Sequence, residues 1–395
     1  MYVKADYQKS EIRTLQIGMG WFPDRAGGLN RYYYDCANYF AQAGIGFDGL
    51  VAGGDNIQLD SQGKINSFAA ANISVIKRWQ RIRKSFRQSS SQTEHDLIIS
   101  HFAFYTFPLL NLLQNRPLVT HFHGPWALES NVESNKSLAV KAKKWLETQV
   151  YRRSQKFIVL SKTFRDILHQ EYQVPLERII VIPGGVDLER FNLNVSQTEA
   201  RAKLGWSPEK TTIFCIRRLA KRMGLENLVA AMAIVCQKYP ETMLYIGGKG
   251  DLANSLQEQI DELGLNDNVK LLGYVADADL PLCYSAANFS VVPTVALEGF
   301  GLIVIESLAA GTPVLGTPIG GIPEILRPFS PDLVFDSPQT QDLATGIIAA
   351  LSGKRQLPSS EACLEYVRAN YTWKVIAPQI KEVYQKAIAQ KSSES

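Results

Sequence analysis

Short apolar runs closed by glycine alternate along this chain with longer segments in which apolar residues recur every three or four positions. That alternation predicts strand and helix in turn, the pattern of a parallel sheet with helical crossovers. Residues 14–18 (TLQIG) predict a buried strand that ends in a glycine-rich loop, GMGWFPDRAGGLN. Residues 30–43 then have helical spacing, with Gly44 as C-terminal cap. Further strands are predicted at residues 47–54, 96–102, 117–123 and 156–161, the last followed by a helix capped by Ser161 and running to about Tyr172. Residues 178–191 (RIIVIPGGVDLERF) hold a strand that ends in Pro-Gly-Gly.

Residues 192–197 are polar and lack a period, which places a domain boundary near residue 195, between a first domain of 1–195 and a second of 196–374. The alternation then restarts, with strands at 211–219, 242–248, 269–275, 289–295 and 313–318 and helices at 225–239 and 252–263. Residues 361–390 read as helical, with Tyr366, Tyr371, Trp373, Ile380, Val383 and Tyr384 on a buried face. The end of this region, about 375–395, is expected to cross back to the first domain. The fold class is α/β: two doubly wound, Rossmann-like domains, with ligands expected at the carboxyl ends of the strands in a cleft between them.

Residues 293–326 (PTVALEGFGLIVIESLAAGTPVLGTPIGGIPEIL) bring candidate chemistry into this frame. The stretch leaves a strand, passes a turn of Glu298, Gly299, Phe300 and Gly301, and enters an apolar helix that carries Glu306. A helix N-terminus offers unpaired N–H groups and a partial positive charge, a ready site for phosphate. Glycines let a ligand lie against the backbone. Glu298 just ahead of the helix and Glu306 about two turns along would reach opposite ends of such a ligand. A phosphorylated, hydroxyl-rich molecule is called for, and a nucleotide sugar fits.

Composition narrows the class. With 395 residues, 46% hydrophobic and 20% charged, the chain is an ordinary globular protein of two or three domains. A net charge of +4 is too small to point to nucleic acid. Cys36, Cys215, Cys236, Cys283 and Cys363 form no C-x-x-C pair and read as reduced thiols of a cytoplasmic protein, not as metal ligands. The first residues lack the apolar run of a secretory signal, and no window of about 18 uninterrupted apolar residues exists to span a membrane.

Charge is nevertheless uneven. In residues 73–87 (ISVIKRWQRIRKSFR), Ile76, Trp79, Ile82, Arg83 and Phe86 recur at three- and four-residue steps while the other faces are nearly all Lys and Arg. One reading lays this helix, between Lys77 and Arg87, on an anionic membrane surface with its aromatic side in the interface. The other packs the apolar stripe on the sheet and leaves a solvated basic face. A second basic cluster at Lys136, Lys141, Lys143, Lys144, Arg152 and Arg153 favours the surface reading.

Two doubly wound domains also raise a nicotinamide dehydrogenase. Gly18 and Gly20 begin a G-x-G-x-x-G pattern, but Pro23 holds the third glycine position. Gly247, Gly248 and Gly250 also lack the spacing, so the fingerprint fails in both halves.

Taken together, the motifs resemble retaining glycosyltransferase family 4, whose members have the two-domain GT-B fold. EGFGLIVIE, from Glu298 to Glu306, looks like the signature of that family. It is joined in order by the pair Gly27 and Gly28, HFHGP at residues 121–125, IPGGVDLERF before the linker, and RRLAKRMG at a strand end, so that the similarity spans nearly the whole chain. The resemblance implies that Glu306 holds the donor ribose and that Glu298 lies beside the transferred sugar. The turn and helix start, Gly299, Phe300, Gly301, Leu302 and Ile303, would meet the diphosphate. Arg218 matches the diphosphate-binding arginine. The companion lysine is missing, its slot being Met223, and Arg222 is taken to supply the charge, with Lys221 as the alternative. A nucleoside diphosphate leaving group gains negative charge at the transition state, and without a metal it needs cations and backbone dipoles.

The same resemblance implies that Gly27 and Gly28 let a loop approach the donor phosphate and the acceptor. Gly273, Tyr274 and Val275 would border the base, and Gly248, with Lys249 beside it, would join the donor cleft. His123 matches a histidine near the reacting sugar, contacting a donor hydroxyl or its phosphate. His121 is expected on the other face of the strand as a core residue. His95, His101 and His169 match no motif, although His101 at a strand end could face the cleft.

The implied activity is transfer of a hexosyl group from a nucleoside diphosphate sugar to a glycan or lipid-linked acceptor hydroxyl, with retention, front-face attack, and neither metal nor other cofactor. UDP-glucose is the first donor by family frequency, with other UDP-hexoses and GDP-mannose behind. RRLAKRMGLENL is similar to cyanobacterial enzymes of exopolysaccharide assembly, such as those of the heterocyst envelope, which would put the protein in the cytoplasm at the inner face of the plasma membrane. Two alternatives stay open. A glycan phosphorylase would need a lysine-bound pyridoxal phosphate and a longer chain, and a catalytically silent sugar-nucleotide-binding subunit is suggested by Met223.

Overall fold

A computed structural model of the chain describes residues 11–113, 115–129 and 137–394. The chain divides into two compact units, Met1–Gly185 with Trp373–Ser395, and Val186–Thr372.

Among the described residues of the first unit, β1 (Ile12–Ile17), β2 (Ile45–Ala52), β3 (Ile65–Ala69), β4 (Leu97–Ser100), β5 (Leu118–Phe122), β6 (Lys156–Val159) and β7 (Ile179–Val181) form one parallel sheet in the order β3-β2-β1-β4-β5-β6-β7. Strand order reverses between β1 and β4, and the loops that follow those two strands meet at the switch point. Strand β3 is one the sequence pattern passed over. It lies at the sheet edge against β2, and Asn66 and Ser67 interrupt its apolar residues. The helices α1 (Gly28–Tyr39), α2 (Val75–Gln92) and α3 (Ser137–Arg153) belong to this unit.

The apolar stripe of α2 faces inward. Ile82 and Phe86 are buried, and the Trp79 ring packs 5.5 Å from both Phe104 and Phe107. Arg78 donates to the Tyr105 hydroxyl at 2.7 Å and Arg83 to Asn111 Oδ1 at 2.7 Å. The expectation that the aromatic side dips into a membrane interface is therefore corrected: those rings are spent on the unit's own core. Lys77, Arg81, Lys84 and Arg87 remain exposed, beside an exposed Ile76. Lys136 of the second basic cluster lies outside the described residues. No helix among the described residues is long and apolar enough to cross a membrane.

In the second unit, β8 (Thr211–Ile216), β9 (Thr242–Gly247), β10 (Val269–Gly273), β11 (Phe289–Val292) and β12 (Val314–Gly316) form a parallel sheet in the order β10-β9-β8-β11-β12. Its switch point falls between β8 and β11. The helix α4 (Leu302–Ala309) follows β11.

The units divide at Gly185 and Val186, ahead of the expected residue 195. The reason lies in the segment between: Phe191 is buried with its ring 6.1 Å from Tyr284, and Arg190 pairs with the Asp277 carboxylate. The closing region is likewise two helices, α5 (Ser360–Asn370) and α6 (Trp373–Glu394). Between them Thr372 bridges Val186, whose N–H donates to the Tyr371 carbonyl at 2.8 Å, and that pairing stops the helix. Tyr366 and Tyr371 thus belong to the second unit, while Trp373, Ile380, Val383 and Tyr384 on α6 belong to the first.

Candidate functional site

Both switch points gather polar groups, of different kinds. In the second unit, β8 ends at Ile216 and the next two residues turn to opposite sides, as side chains of an extended segment do. Arg217 turns inward. Its guanidinium donates to Thr294 Oγ1 and to the Glu298 carboxylate, and the Thr294 hydroxyl also donates to Glu298 at 3.3 Å. The pair is nearly enclosed, its side chains 8% and 13% exposed, so solvent screens it little. Arg218 is exposed at the strand end. Sequence reasoning singled out Arg218 and missed Arg217, although two arginines in a row at a strand end point to opposite sides.

Arg222 donates to the Leu297 carbonyl at 2.9 Å, and its own carbonyl accepts from the Val295 N–H at 3.0 Å. It therefore fastens the segment that leads to Glu298. Lys221 is exposed and Met223 is buried. Glycine is required behind this segment: a Cβ on Gly320, at φ 60°, would stand 1.8 Å from the Glu298 carbonyl oxygen.

Helix α4 opens on Gly301 at φ 94° with no capping side chain. Its first N–H groups belong to Leu302 and Ile303, both half-buried, next to Gly299. The Phe300 side chain is buried, its ring 6.1 Å from Tyr371, so only its backbone is available to a ligand. Glu306 is enclosed on the same helix, 9% exposed, with the Tyr284 hydroxyl 3.5 Å from its carboxylate. Burial, and then the Glu306 charge, hold the Tyr284 phenol well above its ordinary pKa. Glu306 is not a solvated helix acid.

Gly248 has a structural duty. At φ 137° its N–H donates to the Gly273 carbonyl at 2.6 Å, and a Cβ there would lie 1.7 Å from the Arg217 carbonyl oxygen. Tyr274 is exposed, with the Lys249 ammonium 5.1 Å from its ring centre, and Val275 is half-buried.

The first unit places three imidazoles at its switch point. His101 follows β4, His121 lies on β5 and His123 follows it. His101 Nδ1 is 3.0 Å from His123 Nε2, and His101 Nε2 is 2.7 Å from Gln16 Oε1. His121 sits between the hydroxyls of Tyr32 at 3.2 Å and Tyr384 at 2.8 Å. The expectation that His121 faces away from His123 is corrected. Residues two apart on a strand share a face, and the two rings lie 6.2 Å apart at 24°. Burial drives all three off protonation: His123 is pushed down to about 3, and His101 and His121 fall well below their ordinary value, helped by their neighbours. Nearby, Gly27 at φ 127° precedes α1, which starts at Gly28, and the Asn30 amide donates to the Arg25 carbonyl at 3.0 Å. His95 pairs with Asp48 and His169 bonds the Val174 carbonyl, both away from this group.

A parallel-sheet Rossmann-like domain repeated twice, with acids framing an uncapped helix start in the second, defines an α/β protein of the GT-B class. Residues 26–190 match the family described as Glycosyltransferase Family 4, and residues 196–370 match Glycosyl transferases group 1. The chain has the fold of the GT-B glycosyltransferases, and its two halves match these two glycosyltransferase families in succession. It is 30% identical over 261 residues to an uncharacterized glycosyltransferase of Methanocaldococcus jannaschii, covering 65% of each chain. It is 28% identical to mannosylfructose-phosphate synthase of Agrobacterium fabrum, over 59% of this chain and 53% of that one. It is also 28% identical to a GDP-mannose-dependent α-(1-6)-phosphatidylinositol monomannoside mannosyltransferase of Mycobacterium tuberculosis, over 53% and 56%. The aligned regions thus take in about half to two thirds of these relatives' own lengths. Among solved structures, sucrose-phosphate synthase from Thermosynechococcus elongatus superposes with TM-score 0.82 at 23% identity, over 96% of this chain and all of that one. Anabaena HepE in complex with UDP and glucose superposes with TM-score 0.78 at 20% identity, over 95% and 100%.

Proposed function

We propose that this chain is a retaining hexosyltransferase that moves a sugar from a nucleoside diphosphate, UDP-glucose first, to a hydroxyl of a glycan or lipid-linked acceptor. The observation that carries this reading is the uncapped start of α4 at Gly301, framed by the Arg217-paired Glu298 and the enclosed Glu306. An N-terminus of this kind accepts a phosphate, and a carboxylate just beyond it accepts hydrogen bonds from ribose hydroxyls. Glu298 takes the hexose hydroxyls, Arg218 and Arg222 the diphosphate, and Tyr274 a face of the base. Gly27, Gly28 and His123 act on the phosphate and sugar from the first unit.

In the proposed reaction the acceptor oxygen attacks the anomeric carbon on the face from which the diphosphate departs. The bond from that carbon to the phosphate oxygen breaks, the new glycosidic bond forms, and the departing oxygen takes the acceptor's proton. Arginine charge and backbone N–H groups stabilise the leaving group, so the assignment calls for no metal. UDP-glucose is favoured because HepE, of like fold, is described bound to UDP-glucose. GDP-mannose stands second because it is the donor named for the mycobacterial relative. Exposed Lys77, Arg81, Lys84 and Arg87, with Ile76 beside them and Trp145 exposed on α3, support an anionic membrane surface at the cytoplasmic face as the place of work, and exopolysaccharide or glycolipid assembly as the process.

A thermal-shift screen over UDP, GDP and ADP sugars tests the donor, because a ligand that binds only the folded state raises its stability. UDP-glucose should give the largest shift, and Glu306→Gln should reduce the shift for UDP itself. A protein that responds to no sugar nucleotide, or releases a product with inverted anomeric configuration, would overturn the assignment.

A further inference from the structure

A hydrogen-bonded chain crosses four adjacent strands of the first sheet and ends on His123. It begins at the Gly46 carbonyl on β2, which can only accept, and which takes the Thr14 hydroxyl proton at 2.7 Å. With its one proton committed, the Thr14 oxygen can only accept in turn. Its partner at 2.9 Å must therefore be the amide nitrogen of Gln16, two residues along β1. That fixes the Gln16 amide with its oxygen toward His101 Nε2 at 2.7 Å, so the proton of His101 sits on Nε2. His101 Nδ1 is then bare, and the contact at 3.0 Å obliges His123 Nε2 to carry the proton. The Nδ1 of His123 is left with a lone pair and no proton. With both rings kept neutral by burial, each step follows from donor and acceptor count, starting from a backbone carbonyl that cannot be reversed.

We propose that Gln16 and His101 are positioning residues that hold His123 in its Nε2–H tautomer, so that His123 receives a hydroxyl of the donor sugar at Nδ1 and does not bind the donor phosphate. A bare ring nitrogen accepts a hydrogen bond from a hydroxyl but repels a phosphate oxygen. Protonation of His123 would reverse that choice, and burial opposes it, holding the ring neutral at pH 7. This inference rests on the reading that His123 touches the donor. It decides which part of the donor that contact is.

Nitrogen-15 NMR of the full chain labelled at histidine tests the two halves separately. His123, identified by comparison with a His123→Asn sample, should show one protonated nitrogen, Nε2, and one bare nitrogen, Nδ1. UDP-glucose should shift the Nδ1 resonance, and UDP alone should leave it in place. His101→Leu should mix the tautomers of His123 and lower kcat/KM for UDP-glucose about five-fold, the worth of one hydrogen bond, with UDP affinity unchanged. His101→Asn, which keeps an oxygen near the position of Nδ1, should restore most of it. A protonated Nδ1 in the wild-type spectrum would overturn the proposal, as would an Nε2 proton that appears only after chelator treatment, the sign of a metal ion between the rings. An Nδ1 resonance that moves equally with UDP, or with neither ligand, would overturn the sugar contact. Absence of transfer from every sugar nucleotide, with the tautomer intact, would instead count against the glycosyltransferase activity.

Discussion

All five histidines, at positions 95, 101, 121, 123 and 169, lie in the first unit and none in the second, while the second sets Arg217 against Glu298 at the matching place in its sheet. The same switch-point architecture is thus furnished in two ways. The first unit uses neutral rings in a hydrogen-bonded series whose directions are fixed by counting donors. The second uses opposite charges held in a partly dry pocket. Neutral series are indifferent to salt but vulnerable to acid, because a proton forced onto one ring breaks the order of all. A buried ion pair tolerates moderate pH but cannot lose one member cheaply.

Acid should break the comparison most visibly. His101, His121 and His123 have folded pKa values depressed below the ordinary value of about 6.5. Their contribution to stability is present above that value and is lost as pH falls toward 3, since the unfolded chain then binds more protons. Hydrogen exchange followed by mass spectrometry from pH 7 to 4 should show peptides of the first unit losing protection before those of the second. Simultaneous loss would remove the distinction. Next in size, Arg217→Ala should destabilise the second unit by about 3 kcal/mol, because it strands the Glu298 carboxylate. Arg217→Ala combined with Glu298→Gln should cost less than the sum of the two single changes in denaturant titrations.

A smaller effect of opposite sign sits within the first unit. Glu147, buried on α3, accepts hydrogen bonds from Tyr172 at 2.7 Å and from the Trp126 and Ala127 N–H groups, yet burial raises its carboxyl to about 7. A folded pKa above the unfolded one means stability falls as pH rises from about 4.5 through 7. Glu147→Gln should flatten that slope in thermal melts between those limits. The smallest change expected is Tyr274→Ala, which should weaken UDP binding by no more than about 1 kcal/mol by calorimetry and leave both units' stability alone, since that ring is exposed.

The parallel sheets, the helix start at Gly301 and the enclosed Glu306 were legible because each depends on local pattern: an apolar run, a glycine turn, and apolar flanks around one acid. What escaped depends on contacts between distant residues. Strand β3 forms because β2 offers it an edge. Arg217 turns inward because Thr294 and Glu298 lie across the switch point. The division at Gly185 is set by Phe191 and Arg190 finding partners some ninety positions on, Tyr284 and Asp277. The pairing of His101 with His123 joins separate strands, whereas the placement of His121 beside His123 followed from strand periodicity alone and needed no structure.

The late return of the chain matters during synthesis. A Cβ on Gly185 would meet the Trp373 ring at 2.5 Å, and the Tyr384 hydroxyl is bonded to His121, so α6 supplies part of the first unit's interior. The second unit is one continuous stretch and can finish folding as soon as it clears the ribosome. The first, although made earlier, stays incomplete until residues 373–391 emerge, and until then His121 lacks its Tyr384 partner. The nascent polypeptide should therefore mature in the reverse of its order of translation.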